Sequence, residues 1–413
     1  MDKFTNNPIT QEKVISLLRN LIAVKSPYFH EHEVMEFTNS WLNNHGVPSR
    51  IHSYYDNIAT KFHGENVCGG IDSGKPGPTV YLGGHLDTVN LCEGWTKPPF
   101  DGVIEGEYMY GVGSLDMKSG CCAIMLALEE FIKNYKDSFV GKIIYQFASD
   151  EEGPYGLGTV ALIKDKVDGL TDSIDFAIIA EPSAGFTGGK HPNICLGAKG
   201  GYNYTIKLLG KSSHAAMPEL GINAVEEAAQ VILKLKEIEP VLDEHLGESL
   251  QCVINIKGGG NACSVPDYAE IEVFRHCVRG ESVSSIRNEV EEAIRRADIH
   301  SKWEIEFRQA LSDEFDGGFV PFCTDPENEF LQKLIASTTK VCGQEPSFTY
   351  FQSIGDFNHI GGLLAIPTVL FGADGDSFHS CDERVNLKSV VEISNSILEF
   401  LKHTHLSQWE EER

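Results

Sequence analysis

The sequence predicts an α/β protein: a layered αβα domain around a central, mostly parallel sheet, carrying an inserted α+β domain of ferredoxin-like order. Three observations lead to this. Short apolar runs bounded by Gly, Asp or Pro occur at Thr79 to Leu82, Ile143 to Ala148, Phe176 to Ala180 and Pro367 to Phe371. Such runs suit strands buried on both faces. Segments of helical periodicity separate them, which places helices on both sides of the sheet. Between about Gly200 and Leu311 the rhythm changes to strand, helix, two strands, helix, strand.

The first helix rests on Val14, Ile15, Leu17, Leu18, Leu21 and Ile22, which recur at helical spacing, and Val34 to Leu42 predicts a second. Cys121 to Phe131 and Val160 to Ile163 read as helices between the buried strands. In the inserted region GYNYTIKLLG, SLQCVINIKGG, YAEIEVFRHCV and WEIEF alternate as strands do, whereas NAVEEAAQVILKLKEI and SVSSIRNEVEEAIRRA read as helices. In the second of these Ile286, Val290, Ala293, Ile294 and Ala297 share one face. The resulting βαββαβ order is a self-sufficient unit. The expected division is therefore 1–199 with 312–413 as one discontinuous domain and 200–311 as the other.

At 413 residues the chain is long enough for two or three cores. Its 60 acidic residues against 34 basic ones, a net charge of −26, argue against nucleic acid and anionic membrane surfaces as partners. The acidic field is compatible either with cationic substrates or with a merely solubilising surface. Eleven cysteines form no CxxC pair, and their odd number points to free thiols in a reducing compartment. The N-terminus lacks a basic-then-apolar signal pattern, and no apolar run approaches the roughly 20 residues a membrane span requires, so a cytoplasmic location is expected. GxSxG, HExxH and Walker motifs are absent. Gly258, Gly259 and Gly260 lead into no phosphate-binding helix, so nucleotide binding is not expected.

Chemistry concentrates at strand ends and one helix start. His85 and Asp87 lie two apart on an extended segment, so both side chains point the same way and the carboxylate can accept the second imidazole N–H. Alone, the pair fits a structural histidine equally well. Asp116 occupies a Gly-rich turn ahead of a helix beginning near Ser119, where a carboxylate either bridges two cations or simply caps the helix. Glu151 and Glu152 follow a buried strand, and as neighbours they face opposite ways, so one can bind metal while the other works as a general base. Glu181 follows IDFAIIA, and His379 lies beyond the last strand in a Gly- and Asp-rich loop. Two imidazoles with three carboxylates suit a pair of divalent cations, zinc or cobalt and also manganese, rather than a structural zinc.

With these residues assembled, the motifs GGHLDTV, GVGSLDMKSG, ASDEEG, AEPS, GKSSHAAMPELGINA and the final His379 with Glu383 resemble those of the M20 family of metallopeptidases and amidohydrolases. Within it they are similar to the branch of acetylornithine deacetylase and succinyl-diaminopimelate desuccinylase, in the family's order and over nearly the whole chain. The resemblance implies that Asp116 bridges two metals, with His85 and Glu181 completing one site and Glu152 and His379 the other. It implies that Asp87 orients His85, that Glu151 is the general base, and that residues 200–311 form a lid that also makes a homodimer. His214 matches the family histidine that polarises the scissile carbonyl, and Arg275 the arginine associated with a substrate carboxylate. Glu181, rather than Asp, is similar to the deacylase and carboxypeptidase branch. The implied activity is hydrolysis of small N-acyl amino acids, N-acetylornithine first, with succinyl-diaminopimelate, dipeptide or carboxypeptidase substrates as alternatives. A scaffold that binds metal without catalysis is the reading outside enzymology. Cys263 departs from the pattern, standing where relatives commonly carry Asn.

Overall fold

The computed structural model describes residues 7–153, 155–170, 173–310 and 317–407. The first six residues, part of the N-terminal reading above, lie outside the described residues. The chain divides into two compact units, one of 1–197, 323–351 and 355–413, the other of 198–322 and 352–354. The expected boundary at 311/312 falls outside the described residues. The second unit continues to Phe322, because Gly201 and Phe319 exchange two backbone hydrogen bonds of 2.9 Å.

In the first unit the strands Lys142–Ala148, Thr79–His85, Phe176–Ile179 and Thr368–Leu370 lie side by side in parallel. Their residues are almost all buried, as the continuous apolar runs require. The flanks differ from the expectation of a mostly parallel sheet. Strand His63–Asp72 pairs antiparallel with Lys142–Ala148, Arg50–Tyr55 pairs antiparallel with His63–Asp72, and on the other side Asn193–Ala198 joins Thr368–Leu370 antiparallel. The sheet is therefore mixed, parallel only at its centre; of the antiparallel pairs only Arg50–Tyr55 with His63–Asp72 is joined by a short hairpin-like link, and the other two bring together strands distant in sequence. Helices Gln11–Ala23, Lys118–Tyr135 and Leu387–His405 pack into one core with these strands through Leu18, Leu21, Ile124, Phe131, Ile397 and Phe400, each buried.

The second unit is a four-stranded antiparallel sheet in the order Leu250–Gly259, Tyr268–Cys277, Gly200–Leu209, Lys302–Phe307. Helices Ala224–Leu235 and Val283–Arg296 cover one face, closing a core of Ile206, Leu208, Val231, Ile271, Val290 and Ile294. This is the ferredoxin-like arrangement. Both helices start on side-chain caps, Asn223 accepting from Val225 and Glu226 N–H, and Ser282 forming a capping box with Ser285. No helix among the described residues is long and apolar enough to cross a membrane.

Candidate metal centre

Parallel neighbours place their C-terminal ends at the same sheet edge, and this brings three of the acidic segments together. His85 is the last residue of its strand, the 150–152 run follows Ala148 after Ser149, and Glu181 stands two residues beyond Ile179. Asp116 comes from the turn before helix Lys118–Tyr135, and that helix can approach closely because residue 120 is Gly. A Cβ there would lie 1.9 Å from the Ala180 carbonyl oxygen, beside Glu181. His379 arrives on the loop between the short strands Gly375–Asp376 and Arg384–Asn386, with φ +55°. A non-glycine residue held there is strained, and such strain clusters at functional sites.

The five side chains form two groups that share one residue. His85 Nε2 lies 3.4 Å from Asp116 Oδ1 and 3.4 Å from Glu181 Oε1. His379 Nε2 lies 2.8 Å from Glu152 Oε2 and 3.2 Å from Asp116 Oδ2. In each group of three the candidate ligand atoms are all within 4.8 Å of one another. Asp116 thus turns one oxygen to each group.

The neighbours hold these groups in place. The buried Glu383 carboxylate accepts three backbone N–H bonds, from Gly113 and Leu115 at 2.8 Å and from Asp116 at 3.0 Å, fixing the turn that carries Asp116. Asp87 was expected to take the second N–H of His85. The structure places the Asp87 carbonyl nearer to His85 Nδ1, at 3.1 Å, than its carboxylate, at 3.4 Å. The carboxylate's short bond is instead from Glu152 N–H, 2.8 Å, so Asp87 positions both metal-ligand candidates. Glu151 belongs to neither group. Its Oε1 accepts from Asp356 N–H at 3.1 Å, and its Oε2 stands 3.7 Å from His85 Nε2.

Four carboxylates, Asp116, Glu151, Glu152 and Glu181, share two imidazoles, and their titration reflects this imbalance. Burial, with Asp116 and Glu151 adding to it, pushes Glu181 up to about 8 against the pull of His85. Burial followed by the charge of Asp116 drives Glu152 well above the usual carboxylate range, and burial raises Glu151 as well. Against its own burial, Asp116 is held down to about 2 by His379 and His85, while hydrogen bonds to Asp116 and Glu152 lift His379 to about 11. His85 is raised despite burial, chiefly by Glu181. Moreover His85 Nε2, Asp87 Oδ1 and Glu181 Oε2 are buried without a hydrogen-bond partner: the 3.4 Å contacts of the first two do not reach hydrogen-bond geometry, and Glu181 turns its other oxygen, Oε1, to His85. Orphaned buried polar atoms in a nest of acids fit divalent cations, and the N,O donor set with no thiolate suits zinc, cobalt or manganese.

Asp356 is the residue that sequence reasoning missed. It is buried and its acidity is strongly suppressed, first by burial and then by Glu151, while its carboxylate accepts the Thr159 hydroxyl. It stands five residues beyond the short strand Ser347–Phe351, in a loop that sequence reasoning did not single out. Glu31 was also missed. It accepts Asp150 N–H at 3.0 Å, and burial raises both Glu31 and Asp150 to about 8.

His214 and Arg275 lie in the second unit. His214 is exposed on the loop between strand Gly200–Leu209 and helix Ala224–Leu235, its Nδ1 accepting Ala216 N–H at 3.1 Å. Arg275 corrects an expectation. It is 2% exposed and its guanidinium is committed to Glu281, through Nε at 3.1 Å and Nη2 at 2.5 Å, and to Glu289 at 3.3 Å. A guanidinium so engaged offers no open fork to a substrate carboxylate, since breaking a buried pair is costly.

Comparison with known proteins finds relatives over nearly the whole chain. Succinyl-diaminopimelate desuccinylase of Nitratiruptor is 25% identical over 388 residues, covering 92% of this chain and 96% of that one. The desuccinylase of Hydrogenovibrio crunogenus is 28% identical over 330 residues, covering 78% and 82%. Among solved structures, aminopeptidase PepT of Bacillus cereus superposes with a TM-score of 0.75 at 19% identity, over 96% of this chain and 99% of that one. A tripeptidase of Staphylococcus aureus gives 0.74 at 20% identity, over 95% and 98%. Both structures bear on the fold alone. Residues 81–403 match the model of peptidase family M20/M25/M40, and the chain belongs to that family.

Proposed function

We propose that this protein is a two-metal hydrolase that cleaves the amide of a small N-acyl amino acid, with N-succinyl-diaminopimelate as the leading substrate. The observation that carries the reading is Asp116 facing His85 and Glu181 with one oxygen and Glu152 and His379 with the other, beside a Glu151 that belongs to neither group. The sequence-based preference for N-acetylornithine gives way, because relatives that match over most of the chain include desuccinylases. Glu181 supports a deacylase over an aminopeptidase, as the family resemblance implies.

His85, Glu181 and Asp116 would hold one cation, and Asp116, Glu152 and His379 the other. Bound there, the cations would supply Lewis acidity that polarises the scissile carbonyl and acidifies water, zinc being the first candidate. Glu151 then takes a proton from the attacking water at Oε2 and delivers it to the leaving nitrogen, while Asp356 N–H holds its Oε1 in place. Asp87 keeps the His85 ring and the Glu152 backbone in register. By likeness to the family, His214 stabilises the charge that develops on the carbonyl oxygen and residues 200–311 form a homodimer. His214→Ala should then lower kcat with little change in KM, and an unchanged kcat would remove His214 from the reaction.

The reading is tested by assaying metal-loaded protein on N-succinyl-diaminopimelate, N-acetylornithine and simple di- and tripeptides, with and without chelator. Chelator-sensitive release of succinate is expected. Hydrolysis confined to peptides would replace the substrate assignment, and no chelator-sensitive cleavage of any amide would overturn the enzyme reading.

A further inference from the structure

A second cluster of ligand-type side chains lies elsewhere in the first unit and takes no part in the reaction above. His191 comes from the loop before strand Asn193–Ala198, Cys342 is the last residue of helix Glu329–Cys342, and Glu392 lies in the second turn of helix Leu387–His405. One imidazole nitrogen, the thiol sulfur and one carboxylate oxygen lie within 4.8 Å of one another, and His191 Nε2 is 2.9 Å from Glu392 Oε2. Glu392 is 3% exposed and both other residues are half-buried. We propose that His191, Cys342 and Glu392 form a separate site for a single zinc-type divalent ion.

The donor set decides the ion. Nitrogen, thiolate and carboxylate together are the ligands of a borderline-soft cation, and hard calcium or magnesium would take oxygen alone. Bond lengths of 2.0–2.3 Å at a tetrahedral ion set its ligands roughly 3.3–3.7 Å apart, so the His191–Glu392 pair at 2.9 Å would open by under about 1 Å and the sulfur, within 4.8 Å, would close by at most about 1.5 Å. Three protein ligands leave the fourth position to water. Access exists, because a surface cleft of about 660 Å³, lined by Asn7, Thr10, Glu107, Lys388 and Glu392 among others, reaches the carboxylate. Lys388 Nζ stands 3.3 Å from Glu392 Oε1, the oxygen turned away from His191, so it leaves Oε2 for the ion. Burial and the Glu392 charge push the Cys342 thiol up to about 12, and binding displaces that proton, as at any thiolate site. Bound there, the ion would tie the ends of two helices to the 191 loop.

The competing account is a His191–Glu392–Lys388 ion-pair network with a bystander thiol, and cobalt(II) separates the two. The catalytic candidates contain no cysteine, so a thiolate-to-cobalt charge-transfer band in the near ultraviolet reports a sulfur ligand without reference to activity. Titrating metal-stripped full-length protein with cobalt should develop that band to a plateau of one thiolate-bound cobalt per chain, the ions of the catalytic centre taking further equivalents without adding to it. Cys342→Ser should abolish it, and His191→Gln should weaken cobalt binding at this site by at least about tenfold. His379→Ala, which alters the catalytic cluster, should leave the band intact, so failure of the proposed reaction does not bear on this site. Absence of the band in wild-type protein under excess cobalt would overturn the proposal, whether or not Cys342→Ser folds. So would a band that survives in Cys342→Ser or disappears in Cys381→Ser.

Discussion

Glu383 offers a direct way to perturb the metal centre without touching a ligand candidate. Its carboxylate is 3% exposed and accepts N–H bonds from Gly113, Leu115 and Asp116. Glu383→Ala leaves three buried donors without an acceptor. At about 1–3 kcal/mol for each orphaned group, and with one of the three rescued by water entering the space, the loss is roughly 2–6 kcal/mol. That is a large share of a typical domain stability of about 5–15 kcal/mol. Because the freed turn carries Asp116, both groups of ligands lose their shared member, and binding of both ions should weaken together. Glu383→Gln separates geometry from charge. Burial pushes Glu383 up to about 7, so the wild-type group is part-protonated near neutrality, and Gln retains an acceptor for Leu115 and Asp116. Urea unfolding of metal-free protein followed by zinc titration should therefore rank the variants as wild type, then Gln, then Ala far below. An Ala variant within about 1 kcal/mol of wild type, binding zinc normally, would refute the assigned role of this carboxylate.

Glu151→Gln should lower turnover about 10²- to 10⁴-fold, the range for a lost general acid–base, while metal content stays at the wild-type value. Loss of metal along with activity would instead make Glu151 a ligand. His405, buried with Nδ1 2.8 Å from the Val140 carbonyl, is pushed down to about 4 by burial. Its neutral form is the folded one, so its contribution is complete above the unfolded value of about 6.5 and is lost as pH falls through 4. The change amounts to about 3 kcal/mol, and His405→Gln should flatten the acid limb of the stability curve by about one proton; an unchanged slope would contradict the assignment. Cys263, at φ +58°, occupies a left-handed conformation that Asn tolerates better. Cys263→Asn should stabilise the second unit by up to about 1 kcal/mol in thermal unfolding, and a loss would show that the thiol has a role of its own.

The parts of this molecule legible in the sequence are those whose local pattern matches their surroundings. Thr79 to Leu82 and Phe176 to Ala180 are apolar throughout because both sheet faces are covered, and the βαββαβ unit shows alternation and helical periodicity strand by strand. His85, Glu152 and Glu181 were legible as metal-ligand candidates because strand ends position them, and Asp116 and His379 because a Gly-rich turn and a Gly- and Asp-rich loop carry them. The antiparallel flank was not, since His63–Asp72 carries His63, Glu65, Asn66 and two adjacent glycines, a composition that announces no strand. Asp356 and Glu31 escaped for a different reason: they act on Glu151 and Asp150 through backbone hydrogen bonds, and a bond to an N–H leaves no mark on residue type. Arg275 was misread because sequence shows a guanidinium without showing that Glu281 and Glu289 already hold it.

Anomalous diffraction at the zinc edge from zinc-loaded crystals tests the central claim most directly. Two peaks about 3.5–4 Å apart are expected at the sheet edge, each in contact with a different oxygen of Asp116, with His85 and Glu181 on one and Glu152 and His379 on the other. A single peak there, or density that leaves Asp116 uncoordinated, would contradict it.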